Sequence, residues 1–113
     1  MAQHNITGQQ GELLAQQHLL ANGYVILHTN WRYRKYEIDI VAQKNNTLIF
    51  VEVKTRSGSI NDVNEIITRA KQKQLVDALH NYCILHNVTI DAQIDILIIS
   101  NATTIEHLQD ALR

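Results

Sequence analysis

Apolar residues recur along this chain with two periods, one helical and one of strict alternation, and the switch between them marks its elements. Thr7 or Gly8 opens a helical pattern that runs to about Asn22, where Asn22-Gly23 supplies a stop tolerant of left-handed backbone. Tyr24 to Thr29 reads as a short strand. Tyr33 to Ala42 and Thr47 to Lys54 read as two more, rich in β-branched and aromatic residues and joined by Gln43-Lys44-Asn45-Asn46. After the polar break Ser57-Gly58-Ser59, Asp62 is placed to cap a long helix carrying Val63, Ile66, Ile67, Ala70, Leu75, Ala78, Leu79 and Tyr82 at helical spacing. Ile94 to Ile99 has the apolar run of a buried strand, and Thr104 to Leu112 the pattern of a short terminal helix. The order α-β-β-β-α-β-α predicts an α/β sandwich on a mixed sheet.

Composition narrows this picture. With 113 residues, 45% of them hydrophobic, the chain can bury one sizeable core and is too short for two ordinary domains, so one domain over residues 1–113 is expected. There is no proline, low-complexity run or internal repeat to mark a linker. No stretch approaches the roughly 20 apolar residues of a membrane span, and Met-Ala-Gln-His-Asn lacks the regions of a signal peptide, so the expected location is cytoplasmic. The single cysteine, Cys83, sits in an apolar helical pattern and reads as an inert thiol. The formal net charge of -1 hides an uneven distribution: nine of the ten Lys and Arg residues lie between Arg32 and Lys73. A polyanion would meet the middle of the chain.

That middle also holds the candidate chemistry. Successive strand residues point to opposite faces, so Glu37 and Asp39 should share one face while Ile38 and Ile40 take the other, and Glu52 and Lys54 should likewise point together. If Asn45-Asn46 form a two-residue turn, Asp39 faces Glu52 and Glu37 faces Lys54. Directly opposed Cβ atoms lie about 5 Å apart, where two carboxylates repel by roughly 3 kcal/mol at an effective dielectric of about 20. Mg²⁺, which takes oxygen ligands and bridges substrate phosphates, is one compensation. Lys54 pairing with both acids on a solvated face is the other.

Glu37-Ile-Asp39-Ile-Val followed by Leu48-Ile-Phe-Val-Glu52-Val-Lys54-Thr-Arg56 resembles the small bacterial YraN-like family, related to the Holliday-junction-resolvase branch of the restriction-endonuclease-like, PD-(D/E)xK nucleases. Gly8-x-x-Gly11-Glu12-x-x-Ala15 is similar to the family's opening helix, Gly23-Tyr24 with Asn30-Trp31-Arg32 to its first strand and turn, and Ile94-Asp95 with Ile105-Glu106-His107 to its ending. The resemblance implies a restriction-endonuclease-like mixed sheet flanked by helices. It implies Asp39 and Glu52 as ligands of Mg²⁺ or Mn²⁺, Lys54 as catalytic lysine, and Glu12 approaching from the first helix; Glu37, on the same hairpin face, is expected as a further acid at the metal. Branched DNA as substrate and a homodimer follow from the same resemblance. Three positions depart from the family pattern: Tyr36 replaces the glycine before Glu37, the stretch after the ExK strand is short and proline-free, and Gln93 replaces an arginine.

Glu12 falls inside the helical arc of Leu13, Ala15, Leu19 and Leu20, where a carboxylate is anomalous, although a glutamate in a first turn also suits the helix dipole. Lys71 shares a helix side with Ile67, Leu75, Ala78 and Tyr82; it either approaches phosphate or snorkels to water over the core. Trp31-Arg32-Tyr33-Arg34-Lys35-Tyr36 interleaves cations with aromatics as nucleic-acid contact surfaces do, and as half-buried edge strands do. Arg56, Arg69, Lys71 and Lys73 extend the basic surface of Arg32, Arg34 and Lys35. Asp95, in a strongly apolar strand, reads as a structural acid, and the six histidines show no zinc-ligand spacing. The expected function is metal-dependent hydrolysis of DNA phosphodiesters. Its rivals are a catalytically silent nucleic-acid-binding adaptor of the same fold and a purely structural interaction protein.

Overall fold

The turn at Asn45-Asn46 organises the sheet. Lys44 pairs with Thr47 across it, and Asn45 takes a φ of 55°, a left-handed conformation that asparagine tolerates better than most residues. From this turn β2 (Tyr36–Lys44) and β3 (Thr47–Arg56) run antiparallel. The computed structural model describes residues 8–56, 67–100 and 104–112. In it, β1 (Val25–Tyr33), β2, β3, β4 (Asp91–Ser100) and β5 (Thr104–Leu108) form one sheet in that order. All neighbours are antiparallel except β3 and β4, which are parallel. A parallel step needs a long crossover, and α2 (Arg69–Leu85) lies within it.

Helices cover both faces. On one, Ala15 and Leu19 of α1 (Gly8–Ala21) pack with Ile40, Ala42, Ile49, Val51, Leu97 and Ile99. On the other, Leu75, Ala78, Leu79 and Tyr82 of α2 pack with Val41, Leu48, Phe50, Ile94, Ile96 and Ile98. Strand alternation sorts β3 and β4 cleanly between these two cores. The helix α1 ends at Asn22-Gly23, with Gly23 at φ 85°, as the sequence predicts. Among the described residues no helix is long and apolar enough to cross a membrane. The mixed sheet with the two helices of the described residues is a restriction-endonuclease-like α/β fold.

Four details correct the sequence reading. First, the last element is a strand, so among the described residues the order is α-β-β-β-α-β-β. Ile105, Leu108 and Leu112 fit a helical period, but Thr104 to Leu108 instead pair with Ser100 to Ile96 and cover what would be the bare edge of the apolar strand β4. Second, β1 extends to Tyr33 and β2 starts only at Tyr36, so Arg34 and Lys35 form the tip of a tight hairpin, with Arg34 at φ 56°. Third, α2 starts at Arg69 and is capped by Thr68, whose hydroxyl accepts from the Lys71 N–H at 3.2 Å. Ile67 is buried ahead of that cap rather than on the helix, while Asp62, Val63 and Ile66 fall outside the described residues. Fourth, the buried stripe of α1 is Gly11, Ala15 and Leu19, whereas Leu13 and Leu20 are exposed.

Candidate active site

The β2–β3 ladder follows the predicted register as far as Ile40 opposite Val51. Beyond that pair the strands part. The Val53 N–H donates at 2.9 Å to the Oδ2 of Asp39, a side chain of β2, in place of a backbone carbonyl. Alternation breaks at the same point: Ile38 belongs to the α2-side core and Ile40 to the α1-side core, with Asp39 between them. The expectation that Ile38 and Ile40 share one face is therefore wrong. A carboxylate that satisfies the opened strand is held in the gap where two strands diverge, a fixed position in reach of both sheet faces.

Glu52 meets Asp39 at this gap. It is 5% exposed, and the two carboxyl groups are within hydrogen-bonding reach of one another. Burial, and next the charge of Asp39, push the Glu52 carboxyl up to about 7, against the opposing charges of Lys71 and Lys54. Lys54 Nζ lies 3.8 Å from Glu52 Oε2. Two carboxylates forced together in a low-dielectric site, with ammonium groups beside them, make a strong pull for a further cation.

Glu12 reaches the site because α1 lies unusually close to β3. A Cβ on Gly11 would sit 2.5 Å from the Thr55 Cγ2, so only glycine lets the helix approach to this depth. The next residue, Glu12, is then half-buried, and its carboxyl is raised by burial first and by Asp39 second, with Glu37 adding to the rise and the Asn30 side chain opposing it. Asn30 itself is left-handed, at φ 51°.

Lys71 stands in the first turn of α2 with Arg69 and Lys73 close by. That turn contains no acid, although the positive end of a helix dipole favours anions over cations. Arg34 and Lys35 occupy the β1–β2 tip, and Arg56 ends β3. Arg32 and Glu37 pair across β1 and β2 at 3.1 Å, both largely exposed. Glu37 therefore meets Arg32 where the sequence suggested Lys54, and Lys54 pairs with Glu52.

The structure thus brings together Asp39, Glu52, Lys54, Lys71 and Glu12, with Glu37 at the rim and the remaining cations around it. Among the described residues no three acid, histidine or cysteine side chains close into a ready-made metal-ligand group. The pair Asp39 and Glu52 still suits Mg²⁺ or Mn²⁺, because Mg²⁺ sites commonly use one or two carboxylates and complete their shell with water and phosphate oxygen. Sequence reasoning missed two contributors, Asn30 and the Val53 N–H. Side-chain type gives no sign of a backbone donor, whereas an asparagine just before Trp31 is at least a left-handed signal.

Asp95 is the structural acid that the sequence suggests. It is fully buried and accepts from Gln93 Nε2 at 2.8 Å and the Asp110 N–H at 2.9 Å. His107 Nε2 lies 2.7 Å from its Oδ2, and His107 Nδ1 lies 3.2 Å from His18 Nε2 of α1. This chain ties α1 to β4 and β5.

Comparison with known proteins agrees with the fold. A UPF0102 protein of Flavobacterium psychrophilum is 41% identical over 98% of this chain and 97% of its own length. One from Christiangramia forsetii is 42% identical over the same shares. Among solved structures, that of Archaeoglobus fulgidus Hjc, a Holliday junction resolvase from an archaeal hyperthermophile, superposes with a TM-score of 0.64, covering 90% of this chain and 76% of the other at 16% identity. At that identity the likeness speaks for the fold alone. The model of Uncharacterised protein family UPF0102 matches residues 11–99, and with relatives this similar over nearly their whole length the chain belongs to the UPF0102, or YraN-like, family.

Proposed function

We propose that this chain is a metal-dependent endonuclease that hydrolyses DNA phosphodiester bonds, with branched DNA as its substrate class. The observation that carries the reading is the buried pair Asp39 and Glu52 at the strand gap, flanked by Lys54 and Lys71. A purely structural role gives no reason to force two acids together there, since an unpaired buried charge is costly.

Asp39 and Glu52 are the residues that would hold Mg²⁺ or Mn²⁺, with Glu12 and Glu37 as accessory acids. Such an ion, when bound, lowers the pKa of a water and offsets charge developing on the phosphoryl oxygens. The chain's own residues do the rest. The Val53 N–H fixes Asp39, so its carboxylate does not swing as substrate enters. Lys54 orients the attacking water, whose oxygen bonds to phosphorus as one P–O ester bond breaks and the departing oxygen takes a proton. Lys71 neutralises the scissile phosphate, and Arg32, Arg34, Lys35, Arg56, Arg69 and Lys73 hold the flanking backbone. The Archaeoglobus protein is named as a Holliday junction resolvase. Its fold supports a four-way junction as the substrate to test first, and a homodimer as the assembly that matches a junction's symmetry.

The test is cleavage of end-labelled four-way-junction, single-stranded and duplex DNA in Mg²⁺, Mn²⁺ or EDTA by the wild-type chain, Glu52→Ala and Asp39→Asn. Metal-dependent cutting that is lost in both variants is the expected result. Binding without cutting in every metal would replace this reading with that of a silent nucleic-acid-binding module.

A further inference from the structure

We infer that the aromatic pair Trp31 and Tyr33 on β1 is a stacking platform for an unpaired base, so that the substrate carries an unpaired or flipped-out nucleotide close to the scissile phosphate. That a scissile phosphate lies nearby rests on the proposed nuclease function; the platform itself rests on the ring geometry.

The two rings belong to alternate residues of one strand and lie nearly parallel, at 15°, with centroids 6.0 Å apart. Trp31 is anchored from below: its ring is 6.1 Å from that of Phe50 and 5.1 Å, edge-on, from that of Tyr82. Tyr33 lies further out along the strand, next to the hairpin tip, and is only partly buried. Over its ring, at 5.2 Å, sits the guanidinium of Arg34, which a left-handed φ of 56° turns back onto its neighbour. A planar cation resting on an aromatic face marks a surface that a nucleobase also fits, since both are held through the π-system and arginine remains at hand for the adjoining phosphate.

The platform faces the right way. Trp31 packs with the α2-side core, as does Phe50 of β3, and alternation puts Glu52 and Lys54 on that same side of β3. Trp31 pairs with Ile38 of β2, so the platform lies two strand spacings from β3, about 10 Å in a closed sheet and more where β2 and β3 part. A base stacked there stands about three nucleotides, or slightly more, from a phosphate at Asp39 and Glu52, taking about 3.4 Å per nucleotide of a strand. In an intact duplex the bases face each other and are closed to such rings. A junction centre, a flap or a bulge presents them.

Trp31 is the single tryptophan of the chain, so its fluorescence reports on the platform directly. The measurement uses the full chain carrying Asp39→Asn, in EDTA, titrated with a blunt duplex, the same duplex with one unpaired nucleotide, and single-stranded DNA of equal length. Quenching by the last two but not by the duplex is expected, together with binding weakened about tenfold by Tyr33→Ala and restored by Tyr33→Phe. Tyr33 is chosen because Trp31 supports Phe50 and Tyr82, and its loss threatens folding. Equal quenching by all three DNAs, or full affinity in Tyr33→Ala, overturns the inference. If quenching follows the expected pattern while wild type cuts nothing in any metal, the platform stands and the nuclease reading falls. Cutting without selective quenching gives the reverse.

Discussion

At the scale of single residues, Glu52 has a consequence that needs no substrate. Its carboxyl is ordinary in the unfolded chain, near 4.5, and is pushed up to about 7 in the folded one by burial and by Asp39. Between those values the folded state binds more protons than the unfolded state, so stability falls as pH rises through that window, and the whole penalty is in place above it. The shift bounds the effect at about 3 kcal/mol. His18 acts in the opposite sense, because burial followed by the charge of His107 lowers its pKa, and stability is then lost as pH falls. Urea unfolding in EDTA at pH 5 and pH 8.5, for wild type and Glu52→Gln, separates the two. Relative to Glu52→Gln, which keeps His18 and loses the acid, wild type is expected to drop by about 2–3 kcal/mol on going to the higher pH. A difference between the two proteins that does not change with pH would show that Glu52 is not forced to bury its charge.

At the scale of elements, the hairpin was legible in the sequence, and with it the nearness of Asp39, Glu52 and Lys54 in the candidate site. Two asparagines at a two-residue turn fixed the register as far as Ile40 opposite Val51, and the Asp39 and Glu52 side chains meet just beyond that pair. What stayed hidden was long-range. The strand break at Asp39 depends on how β2 and β3 separate, and Glu37 goes to Arg32 because β1 lies alongside β2. The final strand was misread as a helix because Ile105, Leu108 and Leu112 fit a helical period as well as a strand; only the open edge of β4 decides it. Gly11 shows how one contact sets an element's place. Gly11→Ala adds a methyl 2.5 Å from the Thr55 Cγ2, and an overpacked contact of that kind costs about 1–3 kcal/mol. The better helix propensity of alanine returns about 1 kcal/mol. A net loss in urea unfolding is expected, with Glu12 displaced and metal-dependent cutting reduced more than stability alone explains. Thr55→Ser, which removes the offending methyl, should recover most of both losses in the double variant. Equal losses with threonine or serine at position 55 would mean that the close approach of α1 is not what the glycine serves.

For the whole molecule, the net charge of -1 is a poor guide, because the topology collects the cations. β1 and β2 meet at the tip formed by Arg34 and Lys35, and β2 is antiparallel to β3, so that tip lies toward the end of the sheet where β3 finishes at Arg56. The crossover to a parallel β4 starts from that same end, which is where α2 begins with Arg69, Lys71 and Lys73. Asp91 opens β4 at the opposite end. A chain that is acidic on average therefore presents one basic end, with the carboxylate pair at its centre. Affinity for DNA should accordingly depend steeply on salt. If four or five phosphates are neutralised, log K falls against log salt with a slope of about -4, and binding weakens on the order of 10²- to 10³-fold between 50 and 200 mM salt. Measured with Asp39→Asn so that nothing is cut, the joint variant Arg69→Ala, Lys71→Ala should reduce that slope by about 2. A slope near zero in the parent protein would remove nucleic acid as the partner of this end. A steep slope unchanged by the joint variant would keep DNA as the partner and move the contact from the start of α2 to the β1–β2 tip.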